Sequence, residues 1–409
     1  MQKPMTGVRV LEVAQFTFVP SAGAVLADWG ADVIKIENPV TGDAQRGLVT
    51  VAGRSATAPG VDFSPTIEAP NRGKRSVGMS LALKQTRPVF EGLVRRSDVF
   101  LTNLLPRARA KLRIDLDEIR RINPAIIYVA GSGFGSEGPD RETGAHDATA
   151  FWAQAGNADG VTPNESEVPT GMPAGAFGDN IGGITIAGAV AAALFGRQVC
   201  GQTSFIDVSL LAVGAWANQS NVNLAMLYGC PVPKIDQRTQ APGNPLTGAY
   251  RSSDGRFIQL SMLQPTRYWA PMCRLFGLDA AADDDRFASL ESLAAHTDEA
   301  TALLADAIGS RTYDECTRLL NLQCGQWAPV QDAWEVANDE ALIANGRIAD
   351  VRDAQGNERR LVANPVKFDE AAAHLSRAPL FAEHTDEVLR ELGIDDHELI
   401  ELKIEGAIT

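Results

Sequence analysis

Short apolar runs alternate with stretches of helical spacing through the first third of the chain. Residues 8–13 (VRVLEV) form a short, β-rich run suited to a buried parallel strand. Residues 21–29 (SAGAVLADW) have helical spacing, Gly30 interrupts them, and 32–37 (DVIKIE) return to strand. This β-α-β unit opens a doubly wound, mostly parallel sheet. Runs at 76–81, 99–102 and 126–130 predict further strands, separated by helical stretches such as 86–95.

Residues 184–195 (ITIAGAVAAALF) predict a buried helix, too short and too alanine-rich to span a membrane. An alternating strand is predicted at 202–208 and a long helix at 209–224. The Pro/Gly-rich segment 229–245 is the strongest boundary signal, and a smaller α+β unit follows. Within it, YRSSDGRFIQLS reads as a hairpin turning at Asp254-Gly255, and helices occupy much of 270–320. An amphipathic helix is predicted around 385–392.

A chain of 409 residues exceeds one ordinary core, so more than one domain is expected. The net charge of −14 leaves no global basic field for nucleic acid, so an anionic ligand must be met by local Lys, Arg or N–H groups. The five cysteines form no CxxC pair, which argues against a disulfide framework or zinc site and suits a reducing compartment. The opening MQKPMTGVRVLEVA lacks a signal peptide's apolar stretch, so a cytoplasmic location is expected, with neither membrane nor nucleic acid as partner.

Several constellations can carry chemistry. The glycine-rich loop GSGFGSEGPDRETGAHD, 131–147, follows a predicted strand, where open α/β sheets bind ligands, though its spacing alone favours a plain turn-rich connection. It ends in His146-Asp147. A carboxylate there is either the N-cap of a helix starting at Ala148 or, tuned by burial, a nucleophile or acid/base group. Asp179, before the small-residue helix, has the same two readings. The basic turn NRGKRS, 71–76, is either a phosphate contact or a solvated turn. No GxSxG, HExxH or P-loop motif occurs.

Taken in order, VRVLEVAQFTFVPSAGAVLADWGADVIKIENP, NRGKRSVGMSL, SDVFLTNLLPRARAKL, NPAIIYVAGSGFGSEGP, GAHDATAFWAQAG, GDNIGGITIAGAVAAAL, QTSFIDVSLL, YRSSDGRFIQLS and APLFAEHTDEVLRELG resemble the CaiB/BaiF family. These are the class III CoA-transferases, which include the 2-methylacyl-CoA racemases. The resemblance implies a large Rossmann-like domain built from both chain ends (1–225 and 331–409) with a smaller α+β domain inserted (226–330). It also implies a homodimer of interlocked rings.

The resemblance further implies a substrate pair, an acyl-CoA and a carboxylic acid, with no tightly bound cofactor and no metal. Asp147 stands at the family's nucleophile, which forms a mixed anhydride and then an aspartyl-CoA thioester. Gln15, Phe16 and Thr17 fall in the first βα loop, Arg72, Lys74 and Arg75 in the nucleotide-side segment, and Asn103, Leu104 and Lys111 in the segment after a later strand, all positions that line CoA. Two departures stand out: NLLPR replaces an NFRPG-like stretch, and Asn38 takes a position where a basic residue is frequent. His146 and Asp179 match the racemases' two bases, but Asn180-Ile181 breaks their glycine run and Gln264 stands where they often carry an acid. A CoA-transferase is the favoured reading, a racemase using His146 and Asp179 the alternative, and a non-catalytic CoA-binding subunit the third.

Overall fold

The computed structural model describes residues 2–51, 53–234, 243–370 and 374–409. Part of the 229–245 boundary segment therefore lies outside the described residues.

The central element is a six-stranded sheet. Its strands are β1 (Arg9–Val13), β2 (Asp32–Glu37), β3 (Arg75–Gly78), β4 (Val99–Thr102), β5 (Ile127–Ser132) and β6 (Phe205–Ser209), in the order β3-β2-β1-β4-β5-β6. Every adjacent pair is parallel, with Leu11 level with Ile34 on one side and Phe100 on the other. The chain moves outward from β1 to β3 and then returns to the far side of β1 with β4. This reversal opens a crevice at the carboxyl ends of β1 and β4, where doubly wound sheets bind ligands.

Both faces of the central strands are covered, so apolar residues point to either side of the sheet. On one face Val10, Val33, Leu101 and Val129 pack against α1 (Phe18–Asp28) and the long helix Phe177–Cys200. On the other, Leu11, Ile34, Phe100 and Tyr128 meet α2 (Arg87–Arg95) and the C-terminal helices that carry Val388 and Leu399.

The predicted helix at 184–195 is the middle of that 24-residue helix. By length and composition it is able to cross a membrane, contrary to the expectation from the shorter run. One of its faces packs closely on α1: a Cβ at Gly182 would collide with the Phe18 ring, and one at Gly183 with Ser21. That approach sets the helix's first turn, which carries Asp179, beside the loop after β1. The expected helix at 209–224 is two, Leu210–Ala217 and Gln219–Tyr228, parted at Asn218 (φ −96°, ψ 14°).

The chain forms two compact units. One comprises Met1–Thr162, Glu167–Cys230 and Glu340–Thr409, the other Pro163–Ser166 and Pro231–Asp339, so the seams fall somewhat beyond residues 225 and 330. The second unit has its own core around Trp269, Phe276 and Leu304, under a three-stranded antiparallel sheet. Its hairpin pairs Thr247–Arg251 with Phe257–Ser261 and turns through Gly255, at φ +86°.

Candidate active site

The site begins in the loop after β1. Gln15 donates its N–H to Asn103 Oδ1 at 3.0 Å, and Asn103 Nδ2 donates to the Gln15 carbonyl at 2.7 Å. This reciprocal pair ties the two sides of the crevice together. Phe16 adopts φ +62°, a left-handed backbone unfavourable for a bulky side chain. Its N–H donates to Asp43 Oδ1 at 3.0 Å.

Asp43 is fixed by a buried charge cluster. Lys35 Nζ lies 2.8 Å from Asp43 and 3.0 Å from Glu12, and donates to the Ala14 carbonyl. Burial opposes the Lys35 charge, but Glu12, Asp43 and Glu37 together outweigh it and hold the ammonium above its ordinary range. Lys74 shares Glu12 at 2.6 Å, yet burial dominates there and pulls it down to about 8.

The Phe16 ring meets His146 edge-on, with centroids 5.3 Å apart and planes at 88°. The next residue, Asp147, is 6% exposed. Its Oδ1 accepts the N–H of Ala148 at 2.8 Å, while Oδ2 is buried with no hydrogen-bond partner. Asp147 is therefore no ordinary helix cap: it bonds the very next residue's N–H, at αR angles, ahead of a π-helical turn Ala148–Gln154. Burial raises its pKa, although the Ala148, Gly178 and Asp179 N–H groups and His146 act against the rise.

Asp179 is not a cap either. It sits inside the helix's first turn, and Ala176 occupies the cap position. Burial, reinforced by the neighbouring Asp147 charge, pushes Asp179 up to about 7. The two carboxyls thus interact while both are poorly solvated, the arrangement that separates acid and base roles at active sites, although only Asp179 lines the cavity beside them.

A cavity of about 480 Å³ opens here, lined by Gln15, Phe16, Asn103, Leu104, His146 and Asp179, with Gly131, Gly133 and Gly135 at the end of β5. A second, of about 150 Å³, lies at the ends of β1, β2 and β3 between Ala14, Asn38, Ser80 and Leu112, and shares Gln15 and Leu104 with the first.

The remaining expected contacts are elsewhere. Arg72 pairs with Asp28 at 2.7 Å, Lys74 is buried on Glu12, and Arg75 pairs with Asp32 and Glu391 at 2.7 and 2.6 Å. None of the three lines either cavity, because each side chain is committed to an ion pair within the fold. Thr17 is buried, with its hydroxyl 3.3 Å from Gln45 Nε2, and Lys111 is exposed outside both cavities. Sequence reasoning missed Asp43, whose role depends on a partner 27 residues away, and Arg109 and Arg141, which line the larger cavity. Only the departure of NLLPR from the family pattern hinted that Arg109's neighbourhood is unusual.

A parallel sheet with this strand order and two interacting carboxyls above its crevice belong to an α/β enzyme of ligand-binding Rossmann type. The family described as CoA-transferase family III matches residues 5–385, and the chain belongs to it. The chain is 29% identical over 400 residues to the (R)-2-hydroxy-4-methylpentanoate CoA-transferase of Clostridioides difficile, covering 98% of both chains. It is 29% identical to the succinate–glutarate CoA-transferase of Agrobacterium fabrum, over 95% of this chain and 96% of that one. Among solved structures, a CAIB/BAIF family protein from Brucella suis superposes with TM-score 0.81 at 26% identity, over 96% of this chain and all (100%) of that one. Membership implies acyl-CoA and carboxylate substrates.

Proposed function

We propose that this enzyme moves CoA from an acyl-CoA to a carboxylic acid through covalent intermediates on Asp147. The observation that carries this reading is the buried Asp147 carboxyl, whose Oδ2 accepts no short hydrogen bond, next to His146 and Asp179, which line the larger cavity. Attack on the thioester carbonyl forms a carbon–oxygen bond, breaks the carbon–sulfur bond and releases CoA thiolate, leaving an acyl-aspartyl anhydride. The thiolate attacks the Asp147 carboxyl carbon, giving an aspartyl-CoA thioester and releasing the donor's carboxylate. An acceptor carboxylate then reverses both steps. Burial protects the anhydride from water, so the thioester's energy is retained.

In this reading Gln15, Phe16, Asn103 and Leu104 line the bound CoA, and the smaller cavity at the strand ends suits its nucleotide. Thr17 and the paired Arg72, Lys74 and Arg75 support the walls from behind, Lys111 stands at the outer edge, and no tightly bound cofactor takes part. The second unit is an inserted domain, and two subunits interlock as a homodimer. The acceptor belongs to the small acids named for the relatives, a 2-hydroxy acid or a dicarboxylate.

One observation favours a second reading. His146 and Asp179 line the same cavity, and a carboxyl near 7 suits a base that exchanges an α-proton, as in a racemase. Incubation with an acyl-CoA and hydroxylamine distinguishes the two: the transferase converts Asp147 to a hydroxamate detectable by peptide mass spectrometry. An unmodified Asp147, with deuterium entering the α-carbon, would establish the racemase instead.

A further inference from the structure

Three of the cations expected for CoA, Arg72, Lys74 and Arg75, are spent in ion pairs inside the fold, the fourth, Lys111, is exposed outside both cavities, and Asn38 offers no charge. The larger cavity nevertheless has cations of its own, Arg109 and Arg141. Arg109 lies on the short helix Pro106–Leu112. On that helix Arg107 pairs with Glu142 at 3.7 Å, and just past its end Arg113 pairs with Glu118 at 3.2 Å. Among the described residues no carboxylate pairs with Arg109 or Arg141.

Arg109 is also partly desolvated. Its Nε is buried without an acceptor, and its guanidinium interacts with the buried Tyr128 hydroxyl. A shielded donor left unmatched is destabilising, so it is retained at low cost only if a ligand supplies the acceptor. A guanidinium offers a planar fork that matches the paired oxygens of a phosphate or carboxylate. In a protein of net charge −14, such an anion has to be met by local cations of this kind.

We propose that Arg109 and Arg141 form an oxyanion subsite in the cavity beside Asp147 and Asp179. The subsite takes an anionic group remote from the reacting carbonyl, either a phosphate of CoA or a second carboxylate on the acid. The inference deepens the transferase reading and rests on it for the placement of both substrates.

The test uses the full-length protein with Arg109→Gln, Arg141→Gln and the double variant, and Arg109→Lys as the charge-retaining control. Thermal unfolding first identifies any variant that fails to fold. One arm measures Kd for CoA and for pantetheine, which has no phosphate. The other compares succinate with butyrate, by KM at saturating acyl-CoA and by direct binding. The double variant should lose about tenfold or more in affinity, the equivalent of about 1.4 kcal/mol, only for anion-bearing probes. A loss for CoA but not pantetheine assigns the phosphate, and a loss for succinate but not butyrate assigns the second carboxylate. The subsite is overturned if CoA binds the variants as it binds wild type and no preference for succinate is lost. Equal loss for all four probes overturns it too, because that is general damage to the cavity. The CoA titration needs no turnover, so a protein that binds CoA through Arg109 yet transfers none refutes the transferase reading alone.

Discussion

Asp43 Oδ1 holds the N–H of Phe16 at 3.0 Å, at a residue whose φ is +62°. Such a conformation at a bulky residue costs about 1–3 kcal/mol, so the surroundings must impose it. Asp43 does so because Lys35, itself fixed by Glu12, leaves its carboxylate no freedom. The strained backbone presents the Phe16 ring to His146, next to Asp147.

Asp43→Ala should therefore weaken both fold and site. It removes one of the two carboxylates on buried Lys35, so the loss should stay below the roughly 3–5 kcal/mol of a fully unpaired buried charge, because Glu12 remains. Asp43→Asn keeps the Phe16 hydrogen bond and should recover part of the loss. Urea unfolding of the three proteins checks this, and an alanine variant as stable as wild type would show that the loop holds itself.

Much of the sheet was legible because its strands carry their own signal. DVIKIE reads as strand with no knowledge of its neighbours, and it forms Asp32–Glu37. The loop order also placed His146 and Asp147 beyond a strand's carboxyl end. The partners of charged side chains were not legible. NRGKRS looks like a phosphate clamp, but Lys74 meets Glu12, 62 residues away, and Arg75 meets Glu391, 316 residues away. Only the fold brings those carboxylates near, and nothing local distinguishes a free cation from a paired one. The same limit hid Asp43 and made both Asp147 and Asp179 read as possible caps.

Asp179 makes stability depend on pH. Its carboxyl rises from 3.8 to about 7 on folding. Between those values the folded state keeps a proton that the unfolded state has lost, so stability falls as pH rises through the window, and the full penalty applies above it. Asp179→Asn removes the titration. The variant should be more stable than wild type at pH 8, with the advantage shrinking toward pH 4. Denaturant midpoints at the two pH values test this, and an equal difference at both would contradict it.

The surface of the first unit bears on assembly. Phe195 is 70% exposed on the long helix, Trp216 72% and Leu227 77% on the helices after it. Large apolar side chains this exposed suit an interaction surface, as the proposed interlocked homodimer would require. Threaded subunits cannot part without unfolding, so association and folding should be one transition. Sedimentation should show a dimer at all concentrations where the protein is folded, with a melting temperature that rises with concentration. A stable folded monomer at low concentration would refute the interlocked arrangement.

The decisive comparison lies between Asp147 and its two neighbours. In a transferase Asp147 is the nucleophile, and Asp147→Asn, nearly unchanged in volume, cannot form an anhydride, so CoA exchange should fall to background. Asp147→Glu should fail as well, because an added methylene moves the reacting oxygen by about an ångström, a misplacement that costs roughly a hundredfold. His146→Ala should be milder, since the ring's contact in this structure is with Phe16 rather than with the carboxylate's free oxygen. Asp179→Asn should shift the pH profile before it abolishes exchange, because Asp179 is the carboxyl that burial and the Asp147 charge push up to about 7. A racemase requires a different order: His146 and Asp179 are then the two bases, and loss of either stops α-proton exchange while Asp147→Asn retains part of it. Measuring CoA exchange and α-deuterium uptake on all four variants separates these orders. If His146→Ala ends racemisation in a protein whose wild type transfers no CoA between carboxylates, the anhydride mechanism is wrong for this chain.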